Sequence, residues 1–136
     1  MHEMLNPKHW KRPAGYSNAV AAQGRMVFVA GQIGWNAEEV FETDEFHAQV
    51  RQALSNVREA LAAAGALPEH IVRLTWYVTD KRRYLAELAE VGAAYRDEIG
   101  RVFPAMALIP VPELLEDRAL VEIEATAVLP EGRPGA

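Results

Sequence analysis

A long amphipathic segment, residues 44–64, constrains the fold more than any other stretch of the sequence. Its apolar side chains recur every three or four positions, which places them on one face of an α-helix. Thr43 or Asp44 can accept the free amide hydrogens at the start of this helix, and Gly65 suits a left-handed residue at its end. The apolar face consists of Phe46, Val50, Leu54, Val57, Leu61 and Ala64.

A second helix is predicted farther along the chain. It begins at a cap formed by Thr79 or Asp80 and runs to about Ile99, and Pro104 forbids its continuation. Its apolar stripe consists of Leu85, Leu88, Val91 or Gly92, and Tyr95.

Short apolar or alternating runs around these helices predict five strands. The runs are residues 18–22 and 26–33, which flank a turn of sequence AQGR, and residues 71–78, 106–111 and 121–128. The predicted order is therefore β-β-α-β-α-β-β, which is an α+β domain in which two helices cover one face of a mixed sheet.

The other face of the predicted sheet is also apolar in places. The runs VFVA (residues 27–30) and MALI (residues 106–109) present apolar side chains to both faces. One chain lacks the elements to bury a second face, so this pattern favours assembly through the sheet. The alternative is a twisted sheet that curls over its own loops.

Composition limits the class of protein. The chain of 136 residues is long enough for one domain with a core, and half of its residues are hydrophobic. Without cysteine it forms no disulfide and has no thiol nucleophile. The start has no apolar signal-peptide region, which predicts a cytoplasmic protein. We expect a core over residues 15–128, an N-terminal lead over residues 1–14 and a flexible tail over residues 130–136.

The final strand, VEIEATAV, contains the candidate catalytic groups. Val121, Ile123, Ala125 and Ala127 alternate with Glu122, Glu124, Thr126 and Val128, so the first set belongs to the core and both carboxylates lie on the other face. A glutamate at such a position either faces solvent or acts as a general acid/base in a cleft. The four histidines have no metal-ligand spacing, and no glycine-rich phosphate loop is present.

Six ordered segments resemble one known family. The segments GYSNAV, VFVAGQIG, QVRQALSNVREALAAAGA, IVRLTWYVTD, FPAMALIPV and VEIEATAV match the order and spacing of the RidA family, also called YjgF/YER057c/UK114. This resemblance implies a chorismate-mutase-like fold and a homotrimer in which the sheets face inward as a barrel, with clefts between neighbouring subunits. It also implies hydrolysis of reactive enamines and imines to 2-oxo acids and ammonia without a metal or an organic cofactor.

The resemblance assigns roles to individual residues. Glu122 matches the acidic residue that positions or protonates the hydrolytic water, and Tyr16 matches a tyrosine that reaches the cleft. Gly31 matches a glycine whose backbone lines the site, and Leu108 matches a position whose backbone amide contacts the ligand. Glu124 is not the usual catalytic position.

One match to the family pattern fails. Active imine deaminases have an arginine that grips the substrate carboxylate where this chain has Met106, and a thioether offers neither charge nor donor. Gly92 and Ala30 also stand where some members have polar residues. The sequence therefore predicts a more apolar cleft and an altered substrate class, with Arg118 or Arg73 as alternative anchors.

Two other functions are weighed against a hydrolase. A small-molecule-binding homotrimer without catalysis is favoured by Met106 and opposed by Glu122. Nucleic-acid binding of the endoribonuclease or translation-inhibitor type is opposed by a net charge of -5 and by the lack of a basic stripe. We therefore expect a small-metabolite ligand and neither a nucleic-acid nor a membrane partner.

Overall fold

The strand that contains VEIEATAV lies in the interior of the sheet. The computed structural model describes residues 2–131, in which a four-stranded sheet has the order β3-β6-β4-β5. The elements along the chain are β1 (Glu3–Leu5), β2 (Ala19–Ala21), β3 (Arg25–Ile33), α1 (Phe46–Ala63), a 3₁₀ turn (Pro68–His70), β4 (Ile71–Val78), α2 (Lys81–Ala86), α3 (Leu88–Glu98), β5 (Ala105–Pro110) and β6 (Val121–Leu129). Strand β6 is antiparallel to β3 and β4, whereas β4 and β5 are parallel. The predicted α+β class with a mixed sheet is confirmed.

Helix α1 provides the main cover of the sheet. The predicted stripe is fully buried from Phe46 to Leu61, and only Ala64 at its end is half-buried. The stripe packs against the inward residues of β3 and β6, among them Val29 and Ile123. The prediction of this face was correct because the contact surface of a helix follows directly from its 3.6-residue period.

The predicted cap of α1 was wrong. The residue before the helix is Glu45, and neither Thr43 nor Asp44 accepts an amide hydrogen of the first turn; instead, Thr43 Oγ1 accepts from the Glu45 amide at 3.0 Å. Glu87 Oε1 accepts from the His47 amide at 3.2 Å and so caps the helix from a distant part of the chain. Gly65 has a φ of 76°, as predicted for the left-handed exit.

The predicted second helix is two helices. Asp80 caps α2 by accepting from the Arg83 amide at 3.1 Å, so the cap was correctly placed. The backbone leaves helical geometry at Glu87, whose side chain contacts both His47 and Arg83. Leu85 and Leu88 flank this break and are exposed, whereas Val91 and Tyr95 are buried.

The N-terminal segment departs from the prediction. The lead contains strand β1, and β2 pairs with β1 in a separate two-stranded sheet rather than with β3. Asn6 stabilises this arrangement, because its Oδ1 accepts from both the backbone and the side-chain nitrogen of Asn18. Residues 132–136 of the predicted tail lie outside the described part of the chain.

The register of the sheet separates two faces. Leu74 and Trp76 on β4 align with Met106 and Leu108 on β5, and these side chains point to the helix side. Residues that alternate with them point to the opposite side, which we call the open face: Arg73, Thr75, Tyr77, Ala105, Ala107, Ile109, Glu122, Glu124 and Thr126. On β3, Phe28 aligns with Thr126 and is 72% exposed. The open face is therefore mixed in polarity.

Candidate functional site

Glu122 and Gly31 are adjacent on the open face. A Cβ added to Gly31 would lie 2.7 Å from Cδ of Glu122 and closer still to its Oε2, so only a glycine leaves the carboxylate in this position. Glu122 is half-buried, and no hydrogen bond or ion pair engages its carboxylate among residues 2–131. The Glu122 carboxylate is thus available to a ligand or a water molecule.

Glu124 has different surroundings. Its side chain is exposed, and the Tyr77 hydroxyl donates to its Oε1 at 3.2 Å. Desolvation, followed by the charge and the hydrogen bond of Glu124, raises the pKa of Tyr77. The two glutamates are therefore distinguishable, since Glu124 is engaged by a phenol and Glu122 is not.

A cavity of about 680 Å³ lies between β5 and α3, apart from Glu122. Its lining includes Tyr16, Met106 and Leu108. Most of the remaining lining is apolar or aromatic; it includes Trp76, Tyr84, Leu88, Val91, Tyr95 and Phe103. Gly92, which the sequence comparison singled out, also lines it. Within one chain, Met106 is therefore surrounded mainly by apolar and aromatic residues.

The predicted site residues thus form two groups. Met106 and Leu108 point to the helix side of the sheet, whereas Glu122 lies on the open face with Gly31 beside it. Within one chain, Met106 therefore does not lie opposite Glu122. The separation follows from the parallel β4–β5 register, which aligns Met106 with Leu74 and Leu108 with Trp76 on the helix side. No local pattern in the sequence reveals that register.

The anchors proposed for a ligand carboxylate are also elsewhere. Arg118 donates to Asp44 Oδ1 from both Nε and Nη2, at 3.0 and 2.9 Å, and its guanidinium stacks over the Phe41 ring. Arg73 is exposed on the open face. The arginines that line the cavity are Arg96 and Arg101, which the sequence analysis missed.

Trp76 was missed as well, because the strand IVRLTWYV conceals which of its side chains borders a cavity. It is 3% exposed, and its indole Nε1 has no hydrogen-bond acceptor within the described structure. Its neighbour Tyr95 is satisfied, since the Tyr95 hydroxyl donates to the Val102 carbonyl. Burial raises the pKa of Tyr95, which keeps the phenol a neutral donor.

Comparison with known proteins assigns the family. A family model described as Endoribonuclease L-PSP matches residues 9–129. The crystal structure of the Rid-family protein YyfB from Yersinia pestis superposes with a TM-score of 0.83 at 35% identity, covering 94% of this chain and 98% of that one. The chain belongs to the RidA family. The resemblance stated from the six sequence segments is thereby confirmed.

Two curated RidA-family relatives extend this assignment. A RutC family protein from Aquifex aeolicus is 38% identical over 128 residues, which cover 94% of this chain and 99% of the relative. A 2-iminobutanoate/2-iminopropanoate deaminase from Salmonella typhimurium is 36% identical over 108 residues, covering 77% and 80%. Imine deamination is therefore an activity represented within the family.

Among residues 2–131, no helix is long and apolar enough to cross a membrane.

Proposed function

We propose that this protein hydrolyses the C=N bond of a reactive imine, or of the enamine that tautomerises to it, to a carbonyl compound and ammonia. Relatives named as deaminases of 2-iminobutanoate and 2-iminopropanoate support this reaction class. The structural observation that supports it most is the unengaged Glu122 carboxylate beside Gly31.

Glu122 supplies the acid/base function in the proposed reaction. Water adds to the imine carbon while Glu122 takes a proton from it and passes that proton to the imine nitrogen, which forms a carbinolamine. Glu122 then takes the proton of the carbinolamine hydroxyl and delivers it to the amine nitrogen, so that the C–N bond breaks and ammonia leaves as the carbonyl forms. The balance is one imine and one water to one carbonyl and one ammonia. A positioned acid/base of this kind contributes roughly 100- to 10,000-fold in rate.

The complete site requires a second copy of the chain. Gly31 and Glu122 lie on the open face, while Tyr16, Met106 and Leu108 line the cavity on the helix side. A homotrimer with clefts between subunits brings the first group of one chain to the second group of its neighbour. The exposed Met26 and Phe28 support burial of the open face in such an assembly.

Met106 determines the substrate class in this proposal. An arginine at this position would hold a small carboxylate by two charge-assisted hydrogen bonds, which a methionine cannot make. We expect weak activity on 2-iminopropanoate and 2-iminobutanoate. Met106→Arg, if folded and trimeric, raises that activity. Strong wild-type turnover of these two small imines would contradict the role of Met106.

The experiment compares Glu122→Gln with Glu124→Gln on imines generated in situ by an amino-acid oxidase, with ammonia release as the readout. Glutamine keeps the shape of the side chain and removes its ionisable group. Glu122→Gln lowers turnover by about 100-fold or more, and Glu124→Gln leaves most of it. The reverse ranking would place the acid/base at Glu124.

A binding protein without catalysis is the second candidate. The apolar cavity and Met106 favour it, because a ligand can be held there without reacting. It predicts saturable binding of small molecules with no turnover of any imine in a panel of different side chains.

A further inference from the structure

One residue that lines the cavity beneath α3 carries an unsatisfied donor. The indole Nε1–H of Trp76 is buried and has no acceptor within residues 2–131, and Trp76 is a lining residue of the cavity. Native structures rarely leave a buried donor unpaired, so such a group calls for a partner from outside the chain. A ligand acceptor atom in the cavity would provide that partner.

A positive charge lies at the same cavity. Arg96 follows Gly92 by about one helical turn, and a Cβ on Gly92 would lie 3.4 Å from Arg96 Nη1. A longer side chain at position 92 would therefore compete with this guanidinium for space. Among the described residues no carboxylate pairs with Arg96 or Arg101, and no acidic residue lines the cavity. The charge is available to an anion.

The walls of the cavity define the rest of the ligand. Aliphatic residues of α3 and β5 line it. Besides Trp76, four aromatic side chains also line it: Tyr16, Tyr84, Tyr95 and Phe103. A cavity of about 680 Å³ is far larger than a two- or three-carbon acid requires. Its chemistry fits a molecule with a bulky apolar body, one acceptor and one negative charge.

We infer that this cavity binds a 2-imino or 2-oxo carboxylate with an aromatic side chain. Arg96 pairs with the carboxylate, the Trp76 Nε1–H donates to the heteroatom on C2, and the ring packs against the aromatic walls. This inference rests on the proposed function, for which it names the substrate class. It also explains how a chain with Met106 holds a carboxylate.

Calorimetric titration of the assembled protein with stable acids tests this inference. The probes are 2-oxo-4-phenylbutanoate, 4-phenylbutanoate, which lacks the C2 oxygen, and 2-oxobutanoate, which lacks the ring. The proteins are wild type, Trp76→Phe, Arg96→Gln and the control Arg82→Gln, an exposed helical arginine outside the cavity.

We expect the wild-type protein to bind 2-oxo-4-phenylbutanoate about 10-fold or more tighter than 2-oxobutanoate, because of ring burial. It should bind the oxo acid about 3- to 10-fold tighter than 4-phenylbutanoate. Trp76→Phe abolishes this second preference. Arg96→Gln weakens both phenyl acids by about 5-fold or more, and Arg82→Gln changes neither.

Three results would overturn the inference: equal affinity for the ring-bearing and ring-free oxo acids, equal wild-type affinity for the two phenyl acids, or equal effects of Arg96→Gln and Arg82→Gln. The second comparison uses only wild-type protein, so it holds even if Trp76→Phe fails to fold. These affinities involve no turnover. A silent Glu122→Gln would therefore defeat the proposed acid/base role while leaving the binding result intact.

Discussion

The Glu122 carboxylate occupies the space that a side chain on Gly31 would need, with Glu122 Cδ 2.7 Å from the position of a Gly31 Cβ. The two residues come from paired strands, and a register shift in β3 between Val29 and Gln32 brackets Gly31. Bulges of this kind re-aim side chains near functional sites. The position of the carboxylate therefore depends on a glycine in another strand.

Gly31→Ala tests this dependence. The new methyl group meets the flexible end of Glu122, so the side chain moves and the fold persists. We expect imine turnover to fall by about 10-fold or more, because the acid/base is misplaced, while the midpoint of thermal unfolding changes little. In the Glu122→Gln background the same substitution should cause no comparable further loss. Equal losses in both backgrounds would show that Gly31 acts independently of Glu122.

Substitution of Gln49 should have a different outcome, because it should change the stability of the fold alone. Gln49 is fully buried in α1, donates from Nε2 to the carbonyls of Thr43 and Arg118 at 3.0 Å, and accepts from the Leu120 amide at 2.9 Å. Gln49→Leu leaves these backbone groups unpaired, which should lower the free energy of unfolding by about 2–4 kcal/mol in urea titrations. The half-buried Gln52 on the same helix provides the control, since Gln52→Leu should cost less than about 1 kcal/mol. Similar losses for both variants would refute the role of this network.

Acidic pH should weaken the contact between α1 and Glu87, the residue between α2 and α3. Hydrogen bonds from the His47 ring, the His47 amide and Arg83 hold the pKa of Glu87 below its ordinary 4.5, although partial burial opposes them. The unfolded chain therefore takes up this proton first as the pH falls. The stabilisation is complete above about pH 5 and is lost as the pH falls through the lowered pKa of the folded state.

Glu87→Gln should accordingly be less stable than wild type at pH 7 and approach it below pH 4.5. Thermal unfolding across this pH range measures the difference, and Glu90→Gln, an exposed neighbour in α3, is the control. A stability difference that is unchanged down to pH 3 would show that Glu87 acts through its shape and not through its charge.

Periodicity predicted those parts of the fold whose contacts follow from local spacing. The face of α1 and the alternation of β6 are examples, and Asp80 was one of the two predicted caps of α2 because its partner amide is three residues away. The break at Glu87 could not be predicted in this way. At the break the Glu87 side chain contacts His47, which is distant in sequence, and helical periodicity continues through Glu87 without interruption.

The candidate site, like the fold, was predictable from the sequence only in part. Met106 and Glu122 were both predicted as site residues from the sequence, but their placement on opposite faces depends on the β4–β5 and β4–β6 registers. Trp76 and Arg96 carry no motif. They become candidates only when folding brings a strand and a helix to one cavity and leaves an indole donor without a partner.

The proposed site combines Glu122 of one chain with the cavity of its neighbour, and mixed trimers test this arrangement. Glu122→Gln removes the acid/base, and Gly92→Trp fills the cavity from α3. Each variant alone should be inactive on imines. Trimers refolded from an equal mixture of the two should recover about a quarter of wild-type activity, because that fraction of clefts combines two intact halves from different chains. Mixed trimers that stay inactive would contradict a site shared between subunits.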